Sequence, residues 1–447
     1  MIFSISYNCK SGRWGHRPRR MPRLASPPTA RGETATFVFR QLLRSFIMFG
    51  ACFLFILSAC NHSKSVNNNP DNPDSTNLNH LDFTVEIADD WNNLFIRDSG
   101  WFGGDGIFAA TLDGKETPGS AKKSETLIWF SDSMVGEIEN DSLQPGWSMI
   151  NNSMAILNGG MPDSNAISFK WNMTRNNKPA AIFIPQTPAT QAGDYYWLGD
   201  GFVNNKKNKD LYIFGYRIHN TEPGAVFGFK EVGNTLIVVP EGQQPPFANK
   251  RQIDIPFFIG QEVDSTGSFG AGVMVNTVEA EAPYADGFVY IYGVRGKQKN
   301  VMVARALPEN IETFDQWTFW NGSDWSHDPL TIKTITDRAS NELSVTPLAD
   351  GRYAMIFQAD GLGKYVGLRL GATPHGPFGP LINVYDVSEG LEKDKDIFPY
   401  NAKAHPVLSK PGELLISYNV NSFDFFNDIL DYPHLYRPRF IRMKYEL

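Results

Sequence analysis

Cysteine is nearly absent: the 447 residues hold three, Cys9, Cys52 and Cys60. Beyond residue 60 the chain therefore has no disulfide, no thiolate zinc site and no cysteine nucleophile, and packing alone must hold its folded part. Charge is also sparse, with 20% charged residues, a net charge of −7 and no basic stripe in the folded part. That excludes nucleic acid as a partner, because phosphate binding needs clustered Lys and Arg to release counterions. The Walker-type phosphate loop, the Rossmann fingerprint, the HExxH helix, the GxSxG elbow and a sialidase-type Ser-x-Asp-x-Gly-x-Thr-Trp box are all missing, which removes several enzyme classes.

What is present begins with an export signal. Residues 46–57, FIMFGACFLFIL, form an apolar run too short to cross a bilayer comfortably, preceded by Arg40 and Arg44. The run ends in Leu57-Ser58-Ala59-Cys60, which resembles the bacterial lipobox. That resemblance implies acylation of Cys60 and anchoring in the outer membrane, on the cell surface or the periplasmic face. Residues 1–60 are thus read as a leader and lipoprotein signal peptide. Residues 61–82, a polar Asn, Ser and Pro tract, bury too little apolar surface to fold and read as a flexible tether.

From residue 83 onward the chain reads as all-β. With 13% aromatic residues, 39 Gly and 29 Pro, its composition favours many short strands joined by tight turns. Five weakly similar units recur, each pairing a small-residue strand with an aromatic-rich one: GGDGIFAATLDG with ETLIWFSDSMVG, LGDGFVNN with KDLYIFGYRIH, GAGVMVNTV with GFVYIYGVRG, NELSVTPLADG with RYAMIFQADG, and NAKAHPVLS with GELLISYNVN. Strand units with such periods predict a five-bladed β-propeller of four-stranded blades over residues 83–447. The segment FTVEIADDW is expected to close the ring against the last blade, and a sixth blade starting at Asn152 is the competing count.

In a propeller the first strand of each blade lines the central channel, so polar residues at the unit heads converge. The heads align Asp105, Asp200, Ala271, Glu342 and His405, at spacings of 95, 71, 71 and 63 residues. Charged groups are rarely buried without partners. Asp105, Asp200 and Glu342 are therefore candidate catalytic carboxylates, although Asp-Gly pairs also cap turns. Two carboxyl groups across a pocket can hydrolyse a glycosidic bond, one protonating the leaving oxygen and the other activating water or attacking the sugar. His405, Asp132, Asn152, Trp101, Trp197, Arg217 and Tyr400 are candidate substrate-binding residues. Arg295, Arg437 and Arg439, at strand ends, could hold an acidic group.

The stretches RDSGWFGGDG, LIWFSDSMVG, YWLGDGFV, FDQWTFWNG, NELSVTPLADGRY, YNAKAHPVLS and YRPRFIRM resemble an uncharacterised bacterial lipoprotein family. That family is similar to the propellers related to endo-D-arabinanases and, more distantly, to glycoside hydrolase family 43. The resemblance implies a furanoside-type glycosidase fold with an Asp base, a second, orienting Asp and a Glu acid. The residue types at Asp105, Asp200 and Glu342 correspond, although Glu342 falls on the fourth unit where family 43 has its acid on the third. No cofactor is required by this chemistry, and the resemblance leaves room for a central calcium ion beside His405. Two other classes stay open: a noncatalytic glycan-binding lipoprotein, and a uronate lyase using Tyr400 or His405 as base.

Overall fold

The computed structural model describes residues 77–222, 228–258, 267–388, 391 and 393–447. All of the described residues fall within one compact unit, Asn68–Leu447. The leader, the signal segment, Cys60 and tether residues 61–76 lie outside the described residues.

This unit is chiefly strand. Its five principal sheets each start from one strand, here β1 (Phe108–Thr111), β2 (Tyr195–Val203), β3 (Gly267–Asn276), β4 (Leu343–Pro347) and β5 (Ile397–Ala404). Each of these pairs antiparallel with the next strand in the chain, and further strands follow outward, giving four-stranded sheets except for the third, which has five strands. Ser153–Leu157, just after Asn152, is the third strand of the first sheet and does not begin a sheet of its own. In the fifth sheet the outermost strand is Asp82–Ile87, paired in antiparallel register with Arg439–Glu446 at the other end of the chain.

Alternating residues bury both faces of the middle strands, as in Leu211–Asn220, because every sheet has a neighbour on each side. Five apolar clusters fill the spaces between consecutive sheets. Phe108, Trp129 and Ile213 join the first sheet to the second, and Phe214, Phe269 and Phe319 join the second to the third. Tyr292, Leu343 and Phe357 join the third to the fourth, and Ile356, Leu368 and Ile416 join the fourth to the fifth. Ile128, Phe130, Leu415 and Phe440 join the fifth back to the first. From the first sheet to the fifth, each starting strand touches the next, and close approach there demands glycine. A Cβ at Gly199 of β2 would lie 2.6 Å from the Gly270 carbonyl oxygen of β3. A smaller sheet is added where Ser99–Gly104 pairs with Ser133–Glu139.

Candidate active site

Asp105 and Asp132 adjoin because two chain crossings run side by side. Asp105 sits where the chain passes from Ser99–Gly104 into β1, and Asp132 where it passes from Thr126–Phe130 into Ser133–Glu139. The crossings are tied by backbone hydrogen bonds from the Asp105 N–H to the Asp132 carbonyl (3.1 Å) and from the Ser131 N–H to the Asp105 carbonyl (2.7 Å). Gly106, at φ 62°, lets the chain turn into β1.

A shared β-bulge identifies equivalent positions in β2, β3 and β5. The register slips between Leu198 and Gly201, between Phe269 and Gly272, and between Tyr400 and Lys403. Asp200, Ala271 and Ala402 occupy the bulges, so the fifth unit's head is the segment Tyr400-Asn401-Ala402-Lys403. The sequence alignment that put His405 there was three residues too late. His405 follows the end of β5, is buried, and shares a 2.7 Å hydrogen bond between Nε2 and Ser417 Oγ. Burial, and then the Lys403 charge, hold it well below the usual histidine range, so it is a neutral packing residue.

That four-residue segment reaches all three predicted catalytic carboxylates. The Tyr400 hydroxyl donates to Asp105 Oδ2 at 2.6 Å. The Asn401 amide donates to Glu342 Oε1 at 2.8 Å from a left-handed backbone position, φ 54°, that asparagine tolerates well. Lys403 Nζ lies 3.3 Å from Asp200 Oδ2 and 3.5 Å from the centre of the Phe108 ring on β1. Asp200 is held further by the N–H groups of Val273 (2.8 Å) and Gly201 (2.9 Å).

Burial dominates the electrostatics and pushes every carboxyl group here upward. Asp105 rises to about 6, with the Tyr400 and Tyr436 hydroxyls pulling the other way. Asp132 rises to about 8, through burial first and the Asp105 charge second, while the Asn151 amide, 3.2 Å away, opposes the shift. Glu342 is pushed well above the usual carboxylate range by burial, against the attraction of Lys403 and with the repulsion of Asp105. Asp200 is raised less completely because Lys403 offsets its desolvation. Lys403 itself is lowered by burial, and Asp200 and Glu342 counteract the shift. Of the two, Asp105 is therefore the acid that ionises more readily and Glu342 the one that burial favours in its protonated form. Asp105 Oδ1 and Glu342 Oε2 are buried with no hydrogen-bond partner among the described residues, as expected of groups reserved for a ligand.

The other candidates divide sharply. Trp197 lies beside the Asp132 carboxyl and is half-buried, within reach of the site. Trp101 is buried and stacks on Phe169, with ring centres 4.4 Å apart, so it packs the core and offers no face to a sugar. Asn152 is buried with its amide bonded to the Phe183 and Tyr196 carbonyls, a brace between two sheets. Arg217 is buried against Asp254 at 2.7 Å and Asp194 at 3.5 Å, a structural ion pair.

Residue-by-residue reading missed Asn401, Lys403, Tyr436 and Glu231. Lys403 was findable, because NAKA aligns on the same small-residue pattern as GDGF and GAGV and puts a lysine where those units have glycine. Glu231 lies near the start of the third strand of the second sheet, Phe229–Val239, where nothing in the sequence marks it. Burial pushes its carboxyl up to about 7, with the Ser268 hydroxyl opposing, and its charge reaches Tyr216 together with those of Glu342 and Asp200. Among the described residues no three His, Cys, Asp or Glu side chains group closely enough to hold a metal ion.

A family model described as "Domain of unknown function (DUF5005)" matches residues 88–445. No curated protein matches the chain. A crystal structure from Bacteroides ovatus ATCC 8483, described provisionally as a hydrolase, superposes with a TM-score of 0.62 at 21% identity, covering 81% of this chain and 93% of that one; the two share a fold. More distant similarity is found to an exo-β-1,3-galactanase from Phanerochaete chrysosporium (TM-score 0.38, 10% identity, 76% of this chain and 60% of that one). The catalytic domain of a Coprinopsis cinerea GH62 α-L-arabinofuranosidase is similarly distant (TM-score 0.36, 9% identity, 76% and 97%).

Proposed function

The chain belongs to the DUF5005 family, and from the chemistry of its carboxylate cluster we propose that it is a glycoside hydrolase acting on a polysaccharide, with furanoside linkages as the first to test. The proposed scaffold is a five-bladed propeller, supported by five sheets with five apolar clusters that join each to the next and the last to the first. Asp105 and Glu342, contributed by the first and fourth sheets, are the working pair. The observation that carries the reading is that Tyr400 and Asn401, adjacent in the chain, each bind one of these two carboxyl groups and leave its second oxygen buried and unpartnered.

Environment assigns the roles. Glu342, whose burial favours the protonated form, donates its proton to the leaving oxygen; Asp105, ionised above about pH 6, takes the proton of the attacking water or attacks the sugar carbon itself. Asp200 and Lys403, paired with each other, fix the field around both without touching the bond that breaks. Upstream, we propose that Cys60 is acylated after cleavage, which would hold the enzyme on the bacterial outer membrane facing its polymer; the LSAC sequence supports this.

The test is to incubate the full chain in detergent with a panel of furanose- and pyranose-containing polysaccharides and to chromatograph the products. The wild type is expected to release oligosaccharides from at least one polymer, whereas Asp105→Asn and Glu342→Gln stay folded and release none. Tight binding of a polymer that the wild type never shortens would replace this reading with that of a glycan-binding protein.

A further inference from the structure

Arg437 and Arg439, singled out in the sequence and not used by the carboxylate site, border a cavity of about 530 Å³ together with Asn92, Tyr418 and Tyr385. Four other buried or partly buried arginines have a partner of opposite charge or an aromatic face. Arg217 pairs with Asp194 and Asp254, Arg352 with Asp350, and Arg369 with Asp337, while Arg305 lies over the rings of Phe288 and Trp325. Arg437 and Arg439 form no ion pair among the described residues. Arg439 donates to the carbonyls of Arg437, His434 and Leu435, and Arg437 donates only to the neighbouring Pro438 carbonyl, at 3.3 Å. Asp89, Asp141 and Asp431 also border the cavity without reaching either guanidinium, and His434 is taken by Asp98.

Two guanidinium groups confined together without a counterion repel each other. Burial, and then the Arg437 charge, lower Arg439 to about 9. An oxoanion would relieve both costs, because the planar donor fork of arginine matches a carboxylate or sulfate oxygen pair. The volume suits a small organic ligand. The rings of Tyr385 and Tyr418, 6.4 Å apart between centres, and the Asn92 side chain give it apolar and polar walls.

We propose that this cavity is a second binding site, distinct from the carboxylate cluster, for a sugar unit bearing an oxoanion, either a uronate carboxylate or a sulfate ester. Occupancy needs no hydrolysis, so the site stands or falls apart from the catalytic reading.

Calorimetric titration of the full chain in detergent with glucuronate, glucose 6-sulfate, glucose and inorganic sulfate tests it, with the Asp105→Asn protein run in parallel. Glucuronate or glucose 6-sulfate, or both, should bind, and whichever binds names the anion. Glucose should not bind, and Asp105→Asn should leave the affinities unchanged. Arg437→Gln, which removes one weak hydrogen bond within its own segment, should lower affinity about tenfold or more at an unchanged melting temperature. Arg437→Lys, which keeps the charge and loses the fork, should fall between. Equal affinity for glucuronate and glucose, full affinity in Arg437→Gln, or inorganic sulfate binding as tightly as either acidic sugar would overturn the proposal.

Discussion

The side-chain amide of Asn401 donates to Glu342 across a 2.8 Å gap between two sheets. The residue just before it does the same for Asp105 across the opposite gap. One short stretch of β5 thus sets the positions of two acids that are 237 residues apart in the chain, and the site's behaviour should respond to changes in that stretch.

Tyr400→Phe removes a hydrogen bond that favours the ionised form of Asp105. Without it the Asp105 pKa rises further above about 6, so the acid limb of the kcat/KM profile should move to higher pH. Near neutrality the rate should drop about tenfold to a hundredfold, measured on a released-sugar assay between pH 4 and 9. An unmoved acid limb would detach Asp105 from the rate.

Lys403→Met leaves Asp200 and Glu342 buried without their cation. Breaking a buried pair from one side costs about 3–5 kcal/mol, so thermal unfolding should show a large fall in melting temperature. Asp200→Asn added to Lys403→Met should recover part of it. Additive losses in the double variant would mean that the two residues are not coupled.

Glu116, near Asp200 and Lys403, has its carboxyl raised to about 8, by burial first and by the Asp200 charge second. In the unfolded chain it titrates near the ordinary value of 4.5. Its protonated form is therefore favoured by folding, and the associated stability, complete below pH 4.5, is lost as pH rises toward 8. Glu116→Gln should leave stability unchanged at pH 4 and raise it at pH 8, by about 1.4 kcal/mol for each pKa unit the shift truly spans. Denaturant melts at the two pH values read this directly.

Cys60→Ala should abolish lipid labelling and move the protein from the membrane to the soluble fraction of a bacterial host. Metabolic labelling with a fatty-acid analogue decides the point, and a labelled Cys60→Ala protein would place the modification elsewhere.

The strands were legible because their residue types declare them. Alternation in KDLYIFGYRIH and the recurring small-residue strands both follow from inner strands that must pack closely. The burial of Asp105, Asp200 and Glu342 was legible for the same reason, since an acid inside such a pattern has nowhere to go but among the closely packed starting strands. His405 was misplaced because a polar side chain was matched to the acids of the other units, whereas the small-residue pattern that NAKA shares with GDGF and GAGV puts the bulge three residues earlier. Trp101 and Arg217 misled because a tryptophan or arginine at a strand end looks alike in sequence whether a ligand or a neighbouring sheet covers it. The partners Tyr436 and Glu231 come from segments outside the repeat, and only the folded chain shows what they face.

The pairing of Asp82–Ile87 with Arg439–Glu446, reinforced by Lys444 and Arg442 against Glu86, has a consequence for biogenesis. Asp82–Ile87 cannot pair until residues 439–446 have been made, so a clasp across so long a stretch of chain closes late in folding. Deleting residues 439–446 would strip Asp82–Ile87 and Glu413–Ser422 of their shared neighbour, so one loss would expose two strand edges at once.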